Sequence, residues 1–386
     1  MAPRREQETY MSKNIDKVSF PYRATTHLAF LHVVGQSGSW AKHGLDVNYD
    51  WQISKSDAHK AVASGEVEFV GGNHISTYGK RARGDQWVYV GQTLNAVQSK
   101  LVVRPDSGIK GIEDLRGKRV GTRGNHPGLN DWLFLKQRGL DVDRGDFEFV
   151  REYKGQAVLE DVEQLEGEAA EAAKQKKHNP LWAWVRDGHV DAALVMPPGN
   201  LFAEAAGMKV IDIDPLPMIW YTTVSTSLPF VQKNPDIVER FLKGLIEGVH
   251  YFKTHRDESI RIIEKYHTRE GQLNTAQATW MYDDISPGLS AKLYPTMAAI
   301  GNVYEAAKRF DAAAADINPM ELWDMHHVRR IDDSGFIDSL YSAQPNPRSA
   351  AQAKDPEFKK EQARKEEEVI AKIKACGHPM GDACGC

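Results

Sequence analysis

Cysteine is nearly absent from this chain. The 386 residues hold three, Cys376, Cys384 and Cys386, all at the extreme C-terminal end. The body therefore has no thiol to staple, and a disulfide framework is excluded. Long hydrophobic runs are missing too: no window approaches the ~20 apolar residues that a spanning helix needs, and the mean hydropathy is −0.51, so no membrane insertion is expected. Charge of one sign is also lacking. Lys and Arg number 49 against 53 Asp and Glu, a net charge of −4, and the signs are mixed, which leaves no electrostatic footprint for nucleic acid or a membrane surface. The start, MAPRREQETYMSKNID, has early arginines but no apolar h-region, small-residue cleavage site or lipobox cysteine. As written, the chain is expected in the cytoplasm, and in the periplasm if a leader has been removed. No GxSxG, HExxH or Walker loop occurs, nor a GxGxxG in dinucleotide context, so no nucleotide cofactor is expected.

What is present is an alternation. The apolar fraction of 41% is enough for real cores, and a chain this long favours two lobes over one domain. Short apolar runs at Lys17–Pro21, Gly44–Tyr49, Val67–Val70 and Trp87–Gln92 read as strands. Helical segments at Thr25–Gly35, Asp57–Ser64 and Ile75–Arg83 lie between them, giving βαβ units and a mostly parallel sheet. Leu101–Arg104 reads as a strand, and the turn cluster Pro105-Asp106-Ser107-Gly108 reads as a lobe crossing. A second series follows, with strands Lys118–Thr122, Phe147–Val150 and Asp191–Val195, a loop Arg123–Gly128 and a helix Asn130–Arg138. Glu160–Lys177 reads as a solvated helix, acidic first and basic last. Asp212–Ser225 returns as strand, and helices then run at Ile237–Thr254, Arg256–Tyr266, Thr275–Ser286, Met297–Arg309 and Met320–Asp324. Asp355–Ala375 is helical by composition but too charged to offer a core face.

Five stretches in order resemble a known superfamily. They are HLAFLHVVGQSGSWAKHGLDV (His27–Val47), ASGEVEFVGGNHISTYGKRARG (Ala63–Gly84), LVVRPDSGIKGIEDLRGKRVGTRG (Leu101–Gly124), VRDGHVDAALVMPP (Val185–Pro198) and PFVQKNPDIVERFLKGLIEGVHYF (Pro229–Phe252). SGIKGIEDLRGKRVG is the most specific. The chain is similar to the substrate-binding proteins for nitrate, sulfonates and pyrimidines (SsuA- and NMT1/THI5-like). That superfamily includes hydroxymethylpyrimidine phosphate synthases and a sulfinate desulfinase. The resemblance implies a two-lobed α/β fold of the periplasmic-binding-protein type (type II) with a ligand in the central cleft, plus a charged C-terminal helix and a Cys/His tail. Lobe 1 is expected over 17–104 and 215–345, lobe 2 over 105–214, the helical extension over 346–375 and the tail over 376–386. This sequence departs from both enzymes. It has no mid-chain cysteine motif for iron, and the Tyr22–Thr26 loop offers hydroxyls where the desulfinase has a nucleophilic cysteine.

Strand-end loops supply the cleft candidates, because ligands of open α/β sheets sit outside the carboxyl ends of strands, where free N–H groups meet anions. In lobe 1 these are Arg23, Thr25, Thr26 and His27, together with Asn73 and His74 after a Gly-Gly that lets the backbone approach a ligand. In lobe 2 they are Arg123, Gly124, Asn125 and His126, with Met196 as an apolar wall. Trp220 and Tyr221, near the return crossing, are placed to stack on a planar ligand. His74, Asn73 and His126 are the candidates for acid/base work. The plain alternatives are a packing histidine at 74, an ordinary βα turn at 123–128 and core aromatics at 220–221. His32, inside a helix, reads as a buried or simply exposed residue. In the tail, Cys376, His378, Cys384 and Cys386 form a Cys₃His set for zinc, or for iron in a thiolate-rich setting; free thiols or a Cys384–Cys386 redox pair are the competing readings.

Two function classes follow. One is a cytoplasmic enzyme on a binding-protein scaffold, of lyase or hydrolase type, acting on a small anionic or heteroaromatic substrate by decarboxylation, C–S or C–N cleavage, or thiamine-pyrimidine-type chemistry. The other is the solute-binding protein of an ABC transporter, with a permease as partner. The missing leader and the tail favour the first; a cleft without an obvious nucleophile favours the second. Self-association is left open.

Overall fold

The structure, a computed structural model, describes residues 15–23, 28–72, 74–122, 126–153, 156–157, 180–196, 199–220, 222–266 and 273–342, with Lys360, Arg364, Glu367 and Ala371 beyond them. The strands of the first series are β1 Asp16–Ser19, β2 Leu45–Asn48, β3 Val70–Gly71 and β4 Trp87–Gln92. A short β5, Ala96–Val97, leads to β6 Lys100–Val103, β7 Arg119–Gly121 and β8 Glu148–Val150. A hairpin of β9 Glu152–Tyr153 and β10 Gln156–Ala157 follows, then β11 Ala192–Val195 and β12 Lys209–Asp212. The chain returns through β13 Leu216–Pro217 to β14 Thr223–Ser227.

These strands form two main sheets. In the first, β1 and β2 are parallel, and Tyr22 bridges in parallel to both Gln52 and Gly71. That bridge joins the pair to the group β3-β14-β4. The second sheet runs β12-β6-β11-β7-β8, with β11, β7 and β8 parallel. Each sheet contains one strand that runs against its neighbours: β14 in the first and β6 in the second. These are the strands that cross between the series, and a crossing strand needs no βα connection to fix it parallel. The periodicity predicts the strands but not this reversal. The division expected at residue 104 also shifts. Leu101, Val102 and Val103 are fully buried between two partners of the second sheet, so β6 sits there, and the β5–β13 pair before it marks the crossing.

The helix Pro235–Thr254 covers the first sheet. Its Val238, Phe241, Leu242, Leu245, Ile246, Val249 and Phe252 repeat at helical spacing and are fully buried. Phe241 stacks on Phe69 at 4.1 Å and meets Phe20 edge-on at 4.9 Å, while Trp40 donates from Nε1 to Phe241 O at 3.1 Å. Gly244 permits this approach, since a Cβ there would lie 2.3 Å from Trp40 Cδ1. The helix Met297–Phe310 packs toward the second series. Its Arg309 makes two hydrogen bonds to Asp143, at 2.5 and 2.9 Å, and lies 4.6 Å over the Trp132 ring. Asn302 accepts from Gln137 at 2.6 Å. One apolar cluster accordingly runs from Val70 and Tyr89 through Ile300 and Val303 to Val120 and Leu133.

Among the described residues no helix is long and apolar enough to cross a membrane. The expected helix at 160–177 and the tail at 376–386 lie outside the described residues, as does the extension at 346–375 apart from the four isolated positions.

Candidate functional site

Three strand ends of the first sheet meet at one edge. β1 continues through Phe20–Tyr22 to Arg23, whose N–H donates to Gly71 O at 3.1 Å. The half-buried Arg23 side chain is fixed there: Nη1 donates to Ile53 O at 2.7 Å. Gly72 follows β3 directly, with φ at 109°, a conformation that favours glycine strongly. Gly72 N–H donates to Thr223 O at 2.9 Å, and Ser225 Oγ donates to Gly72 O at 2.8 Å. The chain so turned delivers His74, which is 7% exposed, into contact with Trp220, with ring centroids 6.0 Å apart.

His74 is held neutral. Burial, and after it the Arg23 charge, push its pKa down from 6.5 to about 4. Both causes act against the imidazolium. At neutral pH the ring thus offers one N–H donor and one lone pair, next to a permanent cation and an indole face. Such a trio can hold an anion and stack a planar body, and the imidazole can take a proton without first losing one.

A buried polar network sets Trp220. Gln92, fully buried, donates from Nε2 to Trp220 O at 2.9 Å and to Leu94 O. Thr223 Oγ1 donates to Gln92 Oε1 at 2.7 Å, and Thr222 N–H donates to Thr93 Oγ1 at 2.7 Å. Gln92 N–H reaches Leu293 O at 2.9 Å. Leu293, at φ 53°, is the one described non-glycine residue with positive φ, so local strain sits beside this crossing. Apart from Trp220, none of these groups was anticipated from the sequence. A trace of them lies in Gln92 and Thr93, polar residues closing the apolar run WVYVG.

In the second sheet, Thr122 at the end of β7 donates to the buried Asp131 at 3.2 Å. The helix here is His126–Lys136. It starts inside the expected 123–128 loop, because Pro127 falls in its first turn, where a missing N–H costs nothing. Met196 is half-buried and packs on the same apolar cluster as Trp220 and Trp51. The structure thus brings together Arg23, His74 and Trp220 from the expected set. Thr25, Thr26, His27, Asn73, Arg123, Gly124, Asn125 and Tyr221 lie outside the described residues, as does the His126 side chain. So do Cys376, His378, Cys384 and Cys386. Among the described residues no group of His, Cys, Asp and Glu comes together as a metal site. His32 is a core residue: it is 2% exposed and packs edge-on against Tyr49.

Residues 25–151 match the family model described as NMT1/THI5 like, a stretch of less than half the chain. No curated protein matches. Among solved structures, the chain is similar to the periplasmic sulfonate-binding protein SsuA from Methylobacillus flagellatus KT, a putative sulfonate ABC transporter component. That pair has 16% identity and a TM-score of 0.61, covering 88% of this chain and 99% of the other. The alkanesulfonate-binding protein SsuA from Xanthomonas axonopodis pv. citri, bound to MOPS, aligns at 15% identity and a TM-score of 0.53, over 81% of this chain and 100% of the other. A mutant of the desulfurization enzyme DSZB in complex with biphenyl-2-sulfinic acid aligns at 17% identity and a TM-score of 0.55, over 83% and 99%. The chain therefore carries an NMT1/THI5-like region on an α/β fold of the periplasmic-binding-protein kind.

Proposed function

We propose that the chain binds a small anion with a planar, aromatic or heteroaromatic body at the carboxyl edge of its sheets. The observation that carries this reading is the convergence of Arg23, His74 and Trp220 on one edge. The guanidinium supplies fixed charge, the neutral imidazole a hydrogen bond, and the indole a stacking face. A sulfonate, sulfinate or carboxylate fits that set. The MOPS bound to one structural neighbour and the sulfinic acid bound to another support the choice of class.

A second reading adds turnover: the His74 imidazole is neutral at pH 7 and lies beside the anion's charge partner, placed to accept a proton from a bound substrate, although its lowered pKa makes it a weak base. One experiment addresses both readings: calorimetric titration with nitrate, methanesulfonate, benzenesulfonate and the neutral benzamide, followed by proton NMR of benzenesulfonate and benzenesulfinate left with the protein. Binding of the aromatic anions in preference to nitrate and benzamide supports the first reading, and release of benzene from either acid supports the second. Equal or absent binding across the set overturns the first.

A further inference from the structure

Three stretches of chain run along the crossing between the two sheets, and they are bonded to one another. The outgoing stretch is 93–99, between β4 and β6, and the return runs over 213–220, between β12 and β14. The third, 289–296, leads into the helix Met297–Phe310. Asn95 joins all three. Its Nδ2 donates to Tyr294 O at 2.9 Å and its Oδ1 accepts from Thr296 N–H at 2.9 Å, while its backbone carbonyl accepts from Met218 N–H at 3.0 Å. Beside it, Ser290 N–H donates to Thr93 O at 2.7 Å and Trp220 N–H to Leu94 O at 3.1 Å. A hinge works through a few residues that absorb a change in φ and ψ. Here the backbone groups of those residues are held by the neighbouring stretches.

The helix Met297–Phe310 ties the sheets a second time. The Tyr304 ring lies 5.6 Å from that of Tyr78 in the first series. Asn302 donates from Nδ2 to Pro217 O at 2.6 Å on the return stretch and accepts from Gln137 of the second series. Arg309 holds Asp143 through two hydrogen bonds. Between these ties the packing is continuous and apolar: Val97, Leu216, Met218, Ile219, Ile300 and Val303 are fully buried in one cluster that also holds residues of both sheets. Lobes move against each other by default across small polar interfaces, whereas a large apolar one holds them together.

We propose that this seam locks the two sheets into one rigid body, so that the ligand enters a cleft already formed and the sheets do not close over it. Trp220 is part of the seam through its bond to Leu94 O, which fixes its place relative to Arg23 and His74. The ties at Asn302 and Arg309 act away from that site. Gln137 and Asp143 follow the far end of the helix His126–Lys136, which has 11 residues and so spans about 16 Å. The lock itself is independent of the anion-binding reading.

The test measures distances in the full chain by double electron–electron resonance. Nitroxides on Gln232→Cys, in the helix after β14, and Glu113→Cys, in the turn before β7, sit at exposed positions and report the separation of the two sheets. A pair on Gln232→Cys and Lys60→Cys, both in the first series, gives the width expected of labels on one body. Cys376→Ser, Cys384→Ser and Cys386→Ser keep the labels off the tail. In the free protein the intersheet distribution should be a single peak no wider than the reference, and saturating benzenesulfonate should shift it by less than that width. Asn302→Leu combined with Arg309→Met should broaden it. A second or broad population in the free protein overturns the inference, as does a shift on adding benzenesulfonate or a double variant as narrow as wild type. If the double variant fails to fold, the wild-type distributions decide alone. If benzenesulfonate does not bind, the anion reading fails by itself and the ligand-free width still judges the lock.

Discussion

The low pKa of His74 makes its titration readable as stability. In the unfolded chain a histidine takes up its proton near pH 6.5, whereas in the fold burial and the Arg23 charge delay uptake to about 4. Above pH 6.5 both states are neutral at this ring and it contributes no pH dependence. Between pH 6.5 and 4 the unfolded state binds a proton that the folded state does not, so stability falls as the pH falls. Below the folded value both are protonated and the loss stops. The slope in that window is about 1.4 kcal/mol per pH unit, which integrates to about 3 kcal/mol for this one ring. Burial also lowers His250 and His327, so the raw curve contains more than His74, and a difference isolates it. Urea unfolding of wild type and of His74→Phe, followed by fluorescence from about pH 7.5 to about pH 4.5, should diverge. The variant gains about 2.5 kcal/mol on wild type between about pH 7.5 and about pH 4.5. In Arg23→Gln, which removes the second cause of the shift, the His74-linked loss should be smaller. Parallel curves for wild type and His74→Phe, within about 0.5 kcal/mol, would refute the claim that His74 is desolvated and neutral.

Three other outcomes follow from the same structure. Gln92→Leu removes three hydrogen bonds at once, to Trp220 O, Leu94 O and Thr223 Oγ1; Trp220 N–H still serves Leu94 O, so the expected cost is about 2–3 kcal/mol in urea unfolding. Gly244→Ala drives a methyl to within 2.3 Å of Trp40 Cδ1 and 3.0 Å of its Cα, and a loss of about 1–3 kcal/mol is expected although alanine is the better helix former. For the tail we propose a bound metal at Cys376, His378, Cys384 and Cys386: the untagged protein should contain about one zinc or iron per chain by elemental analysis, and truncation after Ala375 should remove it.

The sequence was most informative where periodicity and punctuation agree. Trp87–Gln92 is an apolar run closed by polar residues, and it is a strand over the same residues; the face of Pro235–Thr254 repeats at helical spacing and is the one that is buried. Val67–Val70 shrinks to Val70–Gly71 because β3 pairs with β14 only at Gly71 and Val70. The elements Gly199–Ala205 and Lys209–Asp212 were not anticipated, since the residues after Met196 were read only as a strand end with an apolar wall and the strand is too short to show a period. Arg23 and His74 were legible as strand-end residues, the latter marked by the preceding Gly-Gly. Gln92 was not, because its purpose lies in the Trp220 carbonyl, 128 positions away in the chain.

The most direct test of the account is a calorimetric titration of benzenesulfonate into wild type, Trp220→Ala and Arg23→Gln under one set of conditions. The account predicts measurable binding by wild type and about tenfold or greater loss in each variant, as expected when a stacking face or the anion's charge partner is removed. Wild-type binding that both variants retain would place the ligand elsewhere and contradict the claim that Arg23, His74 and Trp220 form the site.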